Sequence, residues 1–289
     1  MKEEEYWKVH SDGHSDGIHT SRYIDHQELR YSLRSVFKHA PWFHRIFIIT
    51  NGQIPNWLDV RHPKIRIIKH SDIMPADSLP TFNSEAIEAN LHNIPELSEL
   101  FVYANDDYLI YNHVTPSFFF TTDGLPYVAP GKSFLRMRKN LYYWNVRYTS
   151  RLIQSRFNRT IWREIAHNMR GYKKSVFTEC MNTFPDEVNK VTYSKFRVND
   201  SMQISVVSFY ALVKQKAVFS PLRGRQQVVI RIYSPLVTSL LIIAYTLINL
   251  SIPRLLCIND GPLVIDANRN TFQAYLQGLY PKPAPWEID

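Results

Sequence analysis

The chain has 289 residues, 45% of them hydrophobic and 21% charged, with 17 Pro and 9 Gly, a balance that supports a packed core and excludes collagenous, low-complexity and disordered classes. The formal net charge of +8 suits anionic partners: phosphorylated small molecules, acidic glycans, a membrane surface or nucleic acid. Two cysteines, Cys180 and Cys257, are too few for a disulfide framework and lack metal-ligand spacing, which leaves one bridge or two buried thiols.

Along the chain, residues 1–20 are polar and the HSDGHSDG stretch reads as loop; no apolar run follows the acidic start, so no secretory leader is expected. Asp25 and Glu28 have capping-box spacing, and Leu29, Leu33, Val36 and Phe37 follow at helical intervals, predicting a helix that Pro41 ends. RIFIIT (45–50) predicts a strand closed by an Asn51-Gly52 turn, and KIRIIK (64–69) a second strand. Ser84 is the expected cap of a helix carrying Ile87, Leu91 and Ile94. A third strand, LFVYA (100–104), runs straight into Asn105-Asp106-Asp107. Helices alternating with short apolar strands predict an α/β fold, with a mostly parallel central sheet flanked by helices.

From Gly131 to about Pro235 the chain reads as mainly helical, and its stretch 131–180 as a basic helical middle. Between Lys132 and Lys174 a dozen Lys and Arg face the single acid Glu164. This charge is either the solvated face of a helix pair or an electropositive rim for an acidic substrate; no binding motif accompanies it, so nucleic acid is not an expected partner. Residues 235–253, PLVTSLLIIAYTLINLSIP, form either a core helix or a membrane segment, slightly short of the roughly 20 residues a spanning helix needs. LLCIND (255–260) again places an acid after an apolar strand.

Ligands of open α/β sheets collect beyond the carboxyl ends of the strands, where Asn105, Asp106 and Asp107 stand. Paired carboxylates there suit a hard divalent cation; if the strand continues, Asp106 and Asp107 point to opposite sides and only one is a direct ligand. The alternative is a polar turn. Asn259-Asp260 is a second such constellation, with one carboxylate after an apolar run, and it too has a turn as its alternative. His167 lies among Arg163, Arg170, Lys173 and Lys174, cations that would keep a general base neutral, or it is a surface helix histidine. Arg197 either forks onto a phosphate or pairs with Asp200. Without a P-loop, a Gly-rich dinucleotide fingerprint, a GxSxG elbow or an HExxH, Walker-type hydrolysis, hydride transfer and zinc proteolysis are poorly supported.

RYIDHQELRYSLRSVFKHAPWFHRIFIITNGQIPNWL, HPKIRIIKHSDIMP and LPTFNSEAIEANLHNIPELSELFVYANDD together resemble the second signature region of the Stealth family. That family spans microbial capsule hexose-1-phosphate transferases and the eukaryotic GlcNAc-1-phosphotransferase. AHNMRGYKKSVFTEC with FRVNDSMQ is similar to its third region, and LCIND with LYPKPAPWE to its fourth; the wording of LRYSLRS, APW and TNGQIPNWL is nearer the eukaryotic branch. The first region, a strand ending in a TWVDG-like turn, is represented only by Tyr6, Trp7, Asp12 and Gly13, a degraded or truncated echo, and HNMRG replaces a proline-rich form in the third.

The resemblance implies a single catalytic domain over 21–289 with a modified nucleotide-sugar transferase fold. It implies transfer of a hexose-1-phosphate, GlcNAc-1-phosphate in the first instance, from a UDP-hexose donor to a glycan or glycoprotein acceptor, with release of UMP and with Mg²⁺ or Mn²⁺ as cofactor. The alternatives are an inactive relative that binds a glycan or protein, which the degraded first region favours, and an ordinary glycosyltransferase that releases UDP. Asp106, Asp107 and Asp260 fall on the metal acids, with Asp107 also catalytic, His167 on the base and Arg197 on the phosphate-steadying arginine. Asn83, Glu88 and Asn105 fall where the donor is bound. A eukaryotic protein of this kind would work in the Golgi, a microbial one in the cytoplasm or at the inner membrane, with 235–253 as a route to membrane association.

Overall fold

The computed structural model describes residues 27–231, 235–259 and 266–288. Asp25, Tyr6, Trp7, Asp12, Gly13 and Asp260 lie outside the described residues. The α/β class is as expected, with helices and strands intermixed throughout.

Helix α1 (Glu28–His39) starts after Gln27, which adopts a left-handed conformation. Its apolar stripe buries Leu33 against β1 (Ile46–Thr50) and β2 (Ile65–Lys69), which pair in parallel, Ile46 opposite Ile65. The next helix, α2 (Ser84–Ala89), is shorter than its hydrophobic pattern suggested, and Asn83 caps it rather than Ser84: Asn83 Oδ1 accepts from Glu85 N at 3.1 Å. Ile87 is in α2, but Leu91 lies in the 3₁₀ turn (Leu91–Asn93) that follows Asn90.

Strand β3 (Leu100–Tyr103) ends at the Asn105-Asp106-Asp107 turn, and β4 (Tyr108–Ile110) leaves it. The two do not pair with each other. β3 pairs antiparallel with β8 (Arg170–Lys173), whereas β4 pairs antiparallel with β11 (Leu255–Asn259), itself parallel to β10 (Gln227–Arg231). Smaller ladders join β5 (Tyr127–Val128) to β9 (Val218–Phe219) in parallel and β6 (Pro130–Ser133) to β7 (Arg163–Ile165) antiparallel. The strands of the described residues are thus spread over two- and three-stranded sheets, and parallel pairing holds in three of the six ladders. Side chains alternate across β4 and β11: Leu109, Leu256 and Ile258 enter one core, while Tyr108, Ile110, Leu255 and Cys257 enter another. The open edge of β4 is closed by α1, whose buried Ser32 Oγ donates to Tyr108 O (2.6 Å) and whose Ser35 Oγ accepts from Ile110 N (2.9 Å).

The basic middle is only partly helical. Helix α3 (Leu141–Phe157) and the start of α4 (Lys174–Thr183) flank the strands β6, β7 and β8. Helices α5 (Pro185–Thr192) and α6 (Ser205–Val213) complete the main core with α4. Helix α7 (Pro235–Asn249) is not a core helix. It buries Thr238 and Ile242 but leaves Leu236, Leu240, Ile243, Leu247 and Ile248 exposed. No helix among the described residues is long and apolar enough to cross a membrane. A last helix, α8 (Asp266–Leu279), leads to a C-terminal segment tied back to α1 by Glu287, which accepts from Arg34 at 2.7 and 2.8 Å and from Arg30 at 2.6 Å. Cys180 and Cys257 are buried free thiols.

Candidate active site

Strand register explains why residues distant in sequence meet. In the β3–β8 ladder Tyr103 lies opposite Arg170, so the turn after β3 adjoins the loop before β8. The first carries Asn105, Asp106 and Asp107, the second His167. In the β4–β11 ladder Cys257 lies opposite Tyr108, and Asp107 O accepts from Ile258 N at 3.0 Å. Two ladders therefore converge on Asp107 from different directions. Ligand atoms of Asp107, His167 and Cys257 all lie within 4.8 Å of one another.

The carboxylate segment is a tight turn, with Tyr108 N donating to Asn105 O at 3.2 Å, and it carries Asp107 into the cluster with His167 and Cys257. Asp106 is exposed and Asp107 half-buried. Cys257 Sγ donates to Asp107 Oδ2 at 3.4 Å. Burial, and then Asp107 and Asp106, push the Cys257 thiol well up, so it stands as a neutral S–H donor steadying that carboxylate.

His167 is not on a helix but in the bend between β7 and β8. Tyr108 and Tyr142 each meet its ring edge-on, with centroids 5.6 Å away. Burial first, then the charges of Arg170 and Arg197, lower its pKa to about 4. The imidazole is therefore neutral at physiological pH, the state a general base requires. Arg170, fixed by an Nε bond to Ala166 O at 3.1 Å, belongs to this environment.

Arg197 lies in the loop between α5 and α6. That loop is held by Asn145 Nδ2 on Val198 O (2.9 Å), Phe82 N on Lys195 O (2.9 Å) and stacking of Phe82 on Phe196. Its Nη2 donates to Ser84 Oγ rather than pairing with Asp200, and its buried Nε has no partner among the described residues. Glu88 accepts from the Tyr103 hydroxyl at 2.7 Å, and the same hydroxyl lies against Asn105 Oδ1. Burial pushes the Glu88 carboxyl up, while Tyr103 and Arg197 pull it partway back. Asn83 is fully buried, with both ends of its amide used: besides capping α2 it donates to Ser194 O at 3.2 Å.

The structure thus gathers Asn105, Asp106, Asp107 and His167 at one junction, with the charge of Arg197 acting on both His167 and Glu88. Arg170 was read from sequence as one of the cations around His167, whereas Cys257, Tyr103 and Ser84 were not assigned to the site. Their partners are set by register or by a distant loop, so no local pattern marks them. Buried Glu85 is another: Asn145 Nδ2 and Gln203 Nε2 each donate to it at 3.1 Å, fastening α2 to α3 and to the residues before α6.

Residues 22–128 match the family model for Stealth protein CR2, conserved region 2. The chain is 36% identical over 233 residues to the exopolysaccharide phosphotransferase cps2G of Lactiplantibacillus plantarum, covering 69% of this chain and 68% of that protein. It is 35% identical over 282 residues to an exopolysaccharide phosphotransferase of Nocardia farcinica, covering 92% of this chain and 53% of that one. With the capsular polysaccharide phosphotransferase SacB of Neisseria meningitidis serogroup A it shares 28% over 302 residues, 99% of this chain and 54% of that protein. The chain therefore spans about two thirds of the first relative and about half the length of the other two. All three relatives are bacterial, which fits the microbial alternative; nearness to the eukaryotic branch and a Golgi location receive no support from them.

Proposed function

Because this chain belongs to the Stealth family, we propose that it is a phosphosugar transferase of bacterial polysaccharide type, moving a hexose-1-phosphate from a UDP-hexose to a glycan hydroxyl and releasing UMP. Support comes from the names of its relatives and from one geometric observation: Asp107 and His167 offer ligand atoms within 4.8 Å of each other, although 60 residues separate them in sequence.

In this reading the acceptor hydroxyl loses its proton to neutral His167 as its oxygen bonds to the phosphorus next to the sugar. The bond from that phosphorus to the bridging oxygen breaks, and the electron pair leaves with UMP. Arg197 holds the attacked phosphoryl group, its Nε being free of protein partners among the described residues. Asn105 and Glu88 bind the donor, and Asn83 acts from behind by holding the start of α2, where Ser84 meets Arg197.

The donor set suits Mg²⁺ or Mn²⁺ through its hard part. Asp107, with Asp106 beside it, supplies carboxylate oxygens, whereas Cys257 is held as a protonated hydrogen-bond donor. Asp260 follows β11 in sequence and completes the set in this proposal. When bound, the cation neutralises the diphosphate of the donor. The exposed leucines and isoleucines of α7 support association with a membrane surface.

The test is to incubate the protein with UDP-GlcNAc, a mannoside acceptor and Mg²⁺ or Mn²⁺, and to identify the released nucleotide, with Asp107→Ala as control. UMP that requires the metal and vanishes in the variant is the expected result. Release of UDP would mean ordinary glycosyl transfer and would overturn the reading.

A further inference from the structure

Each hexose-1-phosphate transferred to a glycan leaves one phosphodiester, and hence one negative charge, in the product. An acceptor that is itself a growing chain is then a polyanion, a consequence that rests on the phosphosugar-transfer reading above. The surface leading away from His167 has the complementary character.

Residues 131–163 contain nine Lys and Arg and no Asp or Glu. All of these cations except Arg147 are exposed, and none pairs with a carboxylate among the described residues. The next acid, Glu164, is buried, and its carboxylate accepts from Lys132 N at 3.0 Å. Nothing within this stretch neutralises the charge.

The stretch is one assembled surface rather than a run of sequence. Ser133 lies opposite Arg163 in the β6–β7 ladder, and Phe134 N donates to Trp162 O at 3.1 Å. The guanidinium of Arg147 sits over the Phe134 ring, 4.9 Å from its centroid, which brings the middle of α3 onto the same surface. On α3, Trp144, Arg147 and Arg151 are spaced three and four apart, so they form one stripe.

Apolar groups are interleaved with the charge. Trp162 is 75% exposed, Trp144 42% and Leu135 99%. Indole faces accept the C–H faces of sugar rings, while the cations between them meet phosphates. Either feature alone is ordinary, but together they match a polymer that alternates sugar and phosphate. The surface also starts in the right place, since Tyr142, in the first turn of α3, packs edge-on against His167 at 5.6 Å.

We propose that this surface is an acceptor track, which binds an anionic, phosphodiester-linked glycan with its growing end at His167. The track holds the chain between additions, so affinity rises with acceptor length and falls with salt.

The experiment uses fluorescently labelled, phosphodiester-linked hexose oligomers, short and long, and an uncharged glycan of matching length. Their binding to the whole chain is followed by anisotropy across a salt series. Arg136→Gln, Arg138→Gln and Lys139→Gln are combined in one variant, with Trp162→Ala as a second. Because these side chains are exposed, the melting temperature stays at the wild-type value. The expected result is that the long phosphoglycan binds more tightly than the uncharged chain, and that the triple variant loses about tenfold or more of that affinity with a shallower salt dependence. Trp162→Ala weakens charged and uncharged glycans alike.

Equal binding of charged and uncharged glycans by the wild type would overturn the track, as would tighter binding of an oligonucleotide, or of phosphatidylglycerol vesicles where the triple variant loses that binding and so shows it to run through these cations rather than through α7. Transfer to the simple mannoside is scored separately with the wild-type protein. If UMP is released while the phosphoglycan is not preferred, the track is wrong and the transferase reading stands. If the phosphoglycan is preferred but no phosphosugar moves, the surface survives and the reaction assigned to it does not.

Discussion

Burial is the first reason that His167 releases its proton near pH 4 rather than 6.5, and the positive charges of Arg170 and Arg197 act in the same direction. A base tuned in this way remains neutral through the physiological range. The acid limb of kcat/KM is therefore expected near pH 4, and His167→Ala lowers kcat by about 10²–10⁴-fold. A limb near 6.5 that survives in the variant would assign the proton transfer elsewhere. The same tuning bears on stability, because the unfolded chain binds a proton at His167 between pH 6.5 and 4 where the native protein does not. Stability from this group therefore falls as pH drops through that window. His39 adds to the effect: burial first, then Lys38 and His113, lower it to about 4 as well. The candidacy of His167 was legible from its basic neighbours in the chain. Its burial against Tyr108 and Tyr142 was not, because one lies in a strand and the other in a helix far from it in sequence.

At the scale of elements, helix periodicity located α1 well and the start of α2, but it overran the end of α2 and misjudged its cap. Ser84 and Asn83 are both good caps by type; the choice fell to Asn83 because its Nδ2 also finds Ser194 O, in the segment that carries Arg197. Asn83→Ala removes the cap and leaves the half-buried Ser194 carbonyl without its donor. The expected loss is about 2 kcal/mol in a urea melt, and Asn83→Asp, which keeps the capping oxygen but turns a buried carboxylate toward Ser194 O, does not recover it. An unchanged urea midpoint in the alanine variant would remove the structural role given to Asn83. Helix α7 teaches the opposite lesson. Its apolar composition invited burial, yet the sheet it packs on covers only one side, since β10 and β11 offer it a single face. Composition reports how apolar a helix is, not how many of its sides have neighbours.

At the scale of the whole molecule, the fold is closed by an ion pair between α1 and the C-terminal segment. Arg34 and Glu287 have side chains only 4% and 3% exposed and form two parallel hydrogen bonds, with Arg30 adding a third. Burial alone would raise the Glu287 carboxyl, but hydrogen bonds from Arg34, the Ala284 backbone and Arg30 more than reverse it, so its pKa is lowered. The stability it contributes is fully present above the ordinary glutamate range and is lost as pH falls through the native value. Removing one partner of such a pair leaves a buried, uncompensated charge. Glu287→Ala is thus expected to lose about 3–5 kcal/mol, read from urea midpoints at neutral pH, with a smaller loss at acid pH where the wild-type carboxylate is itself protonated. A difference from wild type that does not shrink on acidification would show that the contribution is not ionic.

The sequence by itself determined the α/β class and the positions of the early helix and strands, and it singled out the acids, histidine and arginine that are proposed for the site, because helix and strand periods and local charge are properties of neighbouring residues. It also carried the family resemblance from which those roles came. Only the tertiary structure decided that β3 turns from β8 toward β11 at Asp107, and that the two ladders bring His167 and Cys257 to the same carboxylate. Only it decided, too, that α7 keeps an apolar face outward. Strand partner and register are set by which surfaces can be buried together across the whole chain, and shifting register by one residue sends every side chain to the other face.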